Sequence, residues 1–509
     1  MTSLRPRGAR RLRSRALPFV LASALGGCTL GPDFSPPPAP PTSGYTPEAL
    51  GHPQGARQRF AVGRDVPGRW WRLYGSRDLN LLVEACLAAN PSIEAAQATL
   101  RGAREAVEAQ RATLFPQIGL GGQATRQRIT SDLSTPLANS NSYTYNLYTP
   151  QLGATFTPDL WGGGRRQVEA LGAEAENQRF QLEAAYLALI GNVIGAAIQE
   201  ASLRGQIASV REVIRLQGEI LETYRTQQNM GQGSGADVAQ QEAALAQSQQ
   251  LLPPLEKQLA QNRNLLAALA GRFPAEGVRQ GFTLSSLRLP TTLPVSLPAN
   301  LVRQRPDVRA AEASLHAASA GIGVAIANRF PQLTLSADAG LSATRIAALG
   351  APGTQFYTLA AAATQPIFDA GNLFRKQRVA EEAFHQADAQ YRATVIAALQ
   401  NVADALRAVQ ADARASAAAH SAVAAARKSV ELTRVQLRSG AVPPATLLIA
   451  QQYYLQALLN DVQAQAAQLS DTVQLFQALG GGWWNRVDVT PKEDAVPASI
   501  LQTIPPLGL

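Results

Sequence analysis

Four histidines, two cysteines and a glycine-rich loop are the residues whose types could do chemistry in this chain, and their spacing argues against most of it. His52, His316, His385 and His420 are scattered without the short separations that hold a metal, and no nucleophile motif accompanies them. The loop Gly231-Gln232-Gly233-Ser234-Gly235 lacks the Lys-Ser/Thr that completes a phosphate cradle, so it reads as a helix-to-helix turn. No catalytic residue, cofactor or metal is expected, and the chain does not read as an enzyme. Cys86 falls in a helical pattern and reads as a small core residue. Cys28 differs. It follows Arg5, Arg7, Arg10, Arg11, Arg13 and Arg15, a short apolar run from Ala16 to Leu25, and Gly26-Gly27, which is the layout of a secretory signal. The run is too short to cross a bilayer as a helix, which takes about 20 residues.

The end of that signal resembles the lipobox of bacterial lipoproteins. The resemblance implies cleavage before Cys28 and acylation of Cys28. Thr29 follows in place of aspartate, which in such proteins points to the outer membrane. The whole chain carries 46 Lys+Arg against 37 Asp+Glu, a net charge of +9. Without the six signal arginines, 40 basic residues face the same 37 acids and the net charge is +3. No basic stripe is left, so nucleic acid is not an expected partner. Once Cys28 is acylated Cys86 stands alone, and no intrachain disulfide can form.

Most of the chain beyond the signal is written twice. Asn90–Ile118 aligns without a gap onto Arg305–Leu333 at an offset of 215, matching Pro91 with Pro306 and Phe115-Pro116-Gln117 with Phe330-Pro331-Gln332. The offset becomes 210 at Asp159/Asp369, 209 at Gly231/Gly440 and 210 where Ala268-Leu269-Ala270-Gly271 meets Ala478-Leu479-Gly480-Gly481. Two copies are too few for a solenoid, so the duplication points to a symmetric object built from several chains.

Each copy has the same order of elements. A Pro-rich leash containing Pro36-Pro37-Pro38, Pro40 and Pro41 precedes the first copy alone. A helical pattern follows from about Asp78, with Pro91 and Pro306 placed for a first helical turn and Asp307 for its positive dipole end. Next comes a long hairpin with outward alternation: Ile118, Leu120 and Gly122, then Leu152, Ala154 and Phe156. Copy two repeats it with Leu333, Leu335, Ala337, Ala339 and Leu341, then Tyr357, Leu359, Ala361 and Ala363. From Arg165 to Met230 and from Asn372 to Ser439 there is no proline, and helix formers dominate. Each such helix would run on the order of 100 Å. A helix about half as long returns from each turn, and Pro253-Pro254 is expected to break the first one. Trp483 and Trp484 follow the second returning helix and read as packing residues rather than membrane anchors.

Four strands per chain cannot close a barrel, and an open sheet in lipid leaves backbone groups unpaired at several kcal/mol each. Two chains would give eight strands filled by side chains, whereas three would give twelve, wide enough for a lumen.

The motifs Cys28-Thr29-Leu30-Gly31-Pro32-Asp33-Phe34, Arg303-Gln304-Arg305-Pro306-Asp307-Val308, Gly321-Ile322-Gly323-Val324-Ala325, Phe368-Asp369-Ala370-Gly371 and Ala478-Leu479-Gly480-Gly481-Gly482-Trp483 resemble those of TolC-like outer-membrane factors of tripartite efflux pumps. The resemblance is to their NodT-type lipoprotein branch. It implies a mainly α fold with transmembrane β: a homotrimer with a twelve-stranded barrel in the outer membrane and a periplasmic α-barrel of long antiparallel helices. It also implies passive export of drugs or other small molecules, with an inner-membrane pump of RND type, a periplasmic adaptor, and lipid contact through acylated Cys28. The alternative is an exit duct for type I secretion. The expected divisions are 1–27 signal peptide, 28–77 leash and equatorial segment, 78–285 first repeat, 286–482 second repeat and 483–509 equatorial tail. The hairpins are expected at about 116–160 and 331–368, and the tip turns at 231–235 and 440–444. Family members narrow the tunnel at those turns with acidic residues and arginine links. The resemblance therefore makes Asp237, Arg225 and Arg438 gate candidates, with Asp237 as helix cap the competing reading. Ile449 stands where the family often has aspartate, which argues against a second acidic ring.

Overall fold

The computed structural model describes residues 29–42, 44–48, 51, 58–130 and 143–486. Cys28, the signal, His52 and the C-terminal residues from 487 onward lie outside the described residues. In chain order the elements are β1 (Arg59–Val62), α1 (Arg77–Ala89), α2 (Pro91–Ala112), β2 (Gln117–Arg128), β3 (Thr144–Phe156), α3 (Gly163–Asn229), α4 (Gly235–Gln250) and α5 (Leu252–Leu269). The second half runs β4 (Thr292–Val295), α6 (Pro298–Gln304), α7 (Pro306–Ala327), β5 (Gln332–Leu341), β6 (Gln355–Thr364), α8 (Asn372–Arg438) and α9 (Pro444–Ala478). Short 3-10 turns fill some of the connections.

The chain forms two compact units. One holds both hairpins together with residues 29–37 and the adjoining ends of α2, α3, α7 and α8. Its sheet is antiparallel in the order β2-β3-β5-β6. The other holds the remaining parts of the helices and a small parallel pair in which β1 lies beside β4, with Arg59 opposite Thr292 and Val62 opposite Val295. Its core gathers Trp70, Tyr74, Leu79, Phe282, Leu293 and Phe476, with Trp70 stacked on Phe476 at 5.1 Å. Cys86 is buried there as a free thiol, and burial pushes its pKa up to about 12, with Arg272 opposing the shift. Trp483 also packs inside this unit, donating from its indole N–H to the Gln304 carbonyl at 2.6 Å and meeting the Phe180 ring edge-on.

The duplication reaches individual hydrogen bonds. Asn90 and Arg305 occupy the same repeat position, just before the prolines that open α2 and α7. Asn90 Nδ2 donates to the Leu269 carbonyl at 2.9 Å, and Arg305 Nη1 donates to the Ala478 carbonyl at 3.0 Å. Each carbonyl belongs to the last residue of a returning helix and has no partner within that helix. The glycine beyond closes the end. Gly271 and Gly480 adopt φ of 67° and 86°, and a Cβ on either would fall 2.1 Å from the Ala89 carbonyl oxygen or 2.7 Å from that of Gln304. Only glycine satisfies both the left-handed conformation and that approach.

α3 and α8 are each 67 residues long. They differ in their return. Pro253 and Pro254 carry no N–H, so the first returning helix divides at Leu251 into α4 and α5. In copy two the prolines have moved to the turn, where Pro443 precedes Pro444 at the first helical position, and α9 continues unbroken for 35 residues.

Candidate export path

The ladder register gives the sheet two chemically distinct faces. Residues directly opposite in an antiparallel ladder share a face, so a row can be followed across all four strands. Ile118 lies opposite Ala154, Ala154 opposite Ala337 and Ala337 opposite Leu359; the next row is Leu120, Leu152, Ala339 and Tyr357. Every alternating apolar residue read from the sequence falls on this face. The large ones are turned outward, with Ile118 71 %, Leu120 84 %, Tyr357 80 % and Leu359 76 % exposed. The opposite face carries the rows Gly119, Gly153, Asp338, Thr358 and Gln117, Thr155, Ser336, Ala360. A water-soluble sheet does not leave its apolar face uncovered. A membrane barrel does, turning apolar side chains to lipid and polar ones to the lumen. β2 and β6 end the sheet, each with one edge unpaired among the described residues.

The two tip turns are built alike. The Gly231 and Gln232 amides donate to the Gln228 and Gln227 carbonyls, and Gly440 and Ala441 donate to Leu437 and Gln436. The turns also meet, because a cavity of about 370 Å³ is lined from both by Tyr224, Ser234, Asp237, Leu437, Arg438 and Val442 among others. Beneath it Ile220, Leu221, Val238, Val430, Leu447 and Ala450 pack as a buried cluster. The structure thus brings Asp237 and Arg438 to one cavity.

Asp237 is not the cap of α4. Ser234 is, its side chain accepting from the Ala236 amide at 3.1 Å. A serine at this position satisfies one orphan N–H of the first turn, which leaves the Asp237 carboxylate near the positive helix end, half-buried and facing the cavity. Tyr224 beside it has a buried hydroxyl without a hydrogen-bond partner, and burial, followed by the Asp237 charge, raises its pKa.

The two arginines behave differently. Arg225 bonds Glu222 on its own helix at 3.0 Å and Glu242 on α4 at 2.7 Å, so it links α3 to the returning helix. Arg438 makes no ion pair among the described residues; it is exposed in the last turn of α8, where a cation meets the negative helix end. Ile449 lies in α9, 51 % exposed, and brings no charge to the turn. Sequence reading missed Ser234, Tyr224 and Glu242. Glu242 was accessible to counting, because it stands nine residues after Gly233 and Arg225 eight before it, so the antiparallel helices bring the two to about the same level.

A β-sheet with one lipid-type and one polar face, joined in the same chain to duplicated long helices, defines an outer-membrane channel protein of TolC-like fold. A family model described as outer membrane efflux protein matches residues 82–272 and 297–481. The pyoverdine export outer membrane protein OpmQ of Pseudomonas putida is 30% identical over 448 residues, covering 88% of this chain and 94% of OpmQ. Nodulation protein T of Rhizobium leguminosarum bv. viciae is 28% identical over 506 residues, 96% of this chain and 97% of that protein. The outer-membrane channel OprN superposes with a TM-score of 0.80 at 26% identity, over 90% of this chain and 100% of that one. The chain belongs to the outer membrane efflux protein family. It is an outer-membrane efflux channel of the NodT type, and this family role does not favour the type I secretion duct.

Proposed function

We propose that three copies of this chain close their sheets into one twelve-stranded barrel, and that their helices line a continuous periplasmic passage through which small molecules leave passively. The observation that carries this reading is the four-stranded sheet with one apolar face and two edges unpaired among the described residues. In hydrocarbon each unpaired backbone group costs several kcal/mol, and pairing β6 of one copy with β2 of the next removes both edges at once. Twelve strands leave a lumen, which eight would fill with side chains. The energy enters from an inner-membrane pump of RND type coupled through a periplasmic adaptor. Cys28, acylated, adds a lipid anchor in the inner leaflet. At the tip turns three copies of Asp237 form a constriction that prefers cations, Arg225 fastens each helix to its returning partner, and Arg438 is placed to meet an acid of the next protomer.

Detergent-purified protein tests the architecture directly. Its mass should equal about three protomers, and reconstituted into a planar bilayer it should conduct ions, cations in preference to anions, once open. A monomer that inserts and conducts alone defeats the proposal. In cells lacking other outer-membrane factors, deletion should raise accumulation of the partner pump's substrates.

A further inference from the structure

The residues just after Cys28 meet a site of their own. The Leu30 amide donates to the Trp161 carbonyl at 3.2 Å. Arg166, its side chain only 5 % exposed, donates to the Leu30 carbonyl at 3.2 Å and bonds Asp33 Oδ1 at 2.6 Å and Glu169 Oε2 at 2.7 Å. Glu169 in turn holds His316 Nε2 at 2.9 Å, and the Phe34 ring stacks on that imidazole at 4.4 Å and 11°. For Glu169 burial is the largest influence and pushes the pKa up, but the hydrogen bonds from Arg166 and His316 outweigh it and the carboxyl lies below its usual range.

The backbones are fitted as closely as the side chains. Gly31 sits at φ 99°, where a Cβ would come within 2.5 Å of the Gly323 Cα. A Cβ on Gly323 would lie 2.7 Å from the Leu30 carbonyl oxygen, and one on Gly162 would lie 2.7 Å from the Thr29 Cα. Three glycines from three parts of the chain are therefore required for one close approach. A solvated leash following a signal needs none of this: no buried arginine, no ring stack and no paired glycines.

We propose that α3 and α7 form a built-in docking site for Thr29–Phe34, and that this site, rather than an acyl chain, fixes the start of the mature chain at the base of the transmembrane sheet. Trp161, five residues beyond the end of β3, marks that base. Cys28 is one peptide bond from Thr29, so the docked segment delivers its modified end to that level. The proposal rests on the lipoprotein reading only for what Cys28 carries; the docking itself needs no lipid.

A nitroxide on Ser35→Cys in the full-length protein reports the segment's motion. Ser35 is exposed, Cys28 is blocked when acylated, and Cys86 is buried with its thiol held protonated, so labelling is specific. The immobilised spectral component should persist in the Cys28→Ser background. It should be lost in Asp33→Ala and in Gly31→Val, which change the segment and leave the helices intact, and in Arg166→Met. Loss of the immobilised component in Cys28→Ser alone would show that the lipid holds the segment and overturn the proposal. Persistence through Asp33→Ala and Gly31→Val would overturn it equally, because the contacts described would then hold nothing.

Discussion

Leu359 and Thr358 are neighbours in β6 that point to opposite faces, and replacing each by arginine separates the lipid side from the lumen side with one side chain. Leu359 is near the middle of the strand, in the row Ile118, Ala154, Ala337, Leu359, and is 76 % exposed. Thr358 stands opposite Asp338 in the row that begins at Gly119. An arginine on the lipid face at the bilayer midplane costs about 2–4 kcal/mol. Three protomers carry the change, so Leu359→Arg should destabilise the assembled trimer by about 6–12 kcal/mol, enough to defeat insertion or to yield trimers that dissociate in mild detergent. On the polar face Thr358→Arg gains a carboxylate neighbour in Asp338 and remains within about 0.5 kcal/mol of the parent, as a tolerated surface change does. Folding titrations in urea into lipid vesicles measure both. Equal losses for the two variants, or the larger loss for Thr358→Arg, would refute the assignment of faces and with it the argument for barrel closure.

Asp237→Asn should lower cation selectivity in single-channel recordings, and unchanged selectivity would remove Asp237 from the constriction. Asp412 on α8 has a buried carboxyl oxygen without a donor, and its pKa is raised from 3.8 to about 6, by burial first and then by Asp471 on α9. The folded state binds more protons than the unfolded chain between those values, so stability should fall as pH rises from about 4 to about 6. Asp412→Asn should flatten that fall in the thermal midpoint, and an unaltered pH profile would contradict it. Cys28→Ser should abolish incorporation of labelled palmitate and reduce assembly without eliminating export; mass spectrometry showing an unmodified Cys28 in the parent protein would disprove the anchor.

The strands were legible because a period of two fixes more than secondary structure. Ile118, Leu120, Leu333, Leu335 and Tyr357 were recognised only as alternating, yet the register places them all on one face, since directly opposite residues share a face. The helices were legible through the absence of proline, and their breaks through its presence at Pro253-Pro254. The repeat offset also placed Asn90 against Arg305. It could not show that an amide and a guanidinium do the same work there, each reaching the last carbonyl of a returning helix, because equivalence of position says nothing about how far a side chain extends.

The functional residues divide along the same line. Asp237, Arg225 and Ser234 lie within one turn and its flanks, and local spacing brings them together; the cavity adds Arg438, which the family resemblance had made a gate candidate. The docking site for the N-terminal segment had no such signal. Asp33 and Arg166 are separated by 133 positions, and Gly31 and Gly323 come from opposite halves of the chain. Each was visible only as one letter of a motif. A motif letter needed for close backbone approach looks the same in sequence as one needed for a turn, and only the contact distinguishes them. The Gly321-Ile322-Gly323 run therefore gains its meaning from Leu30, whose carbonyl occupies the space that a side chain on Gly323 would need.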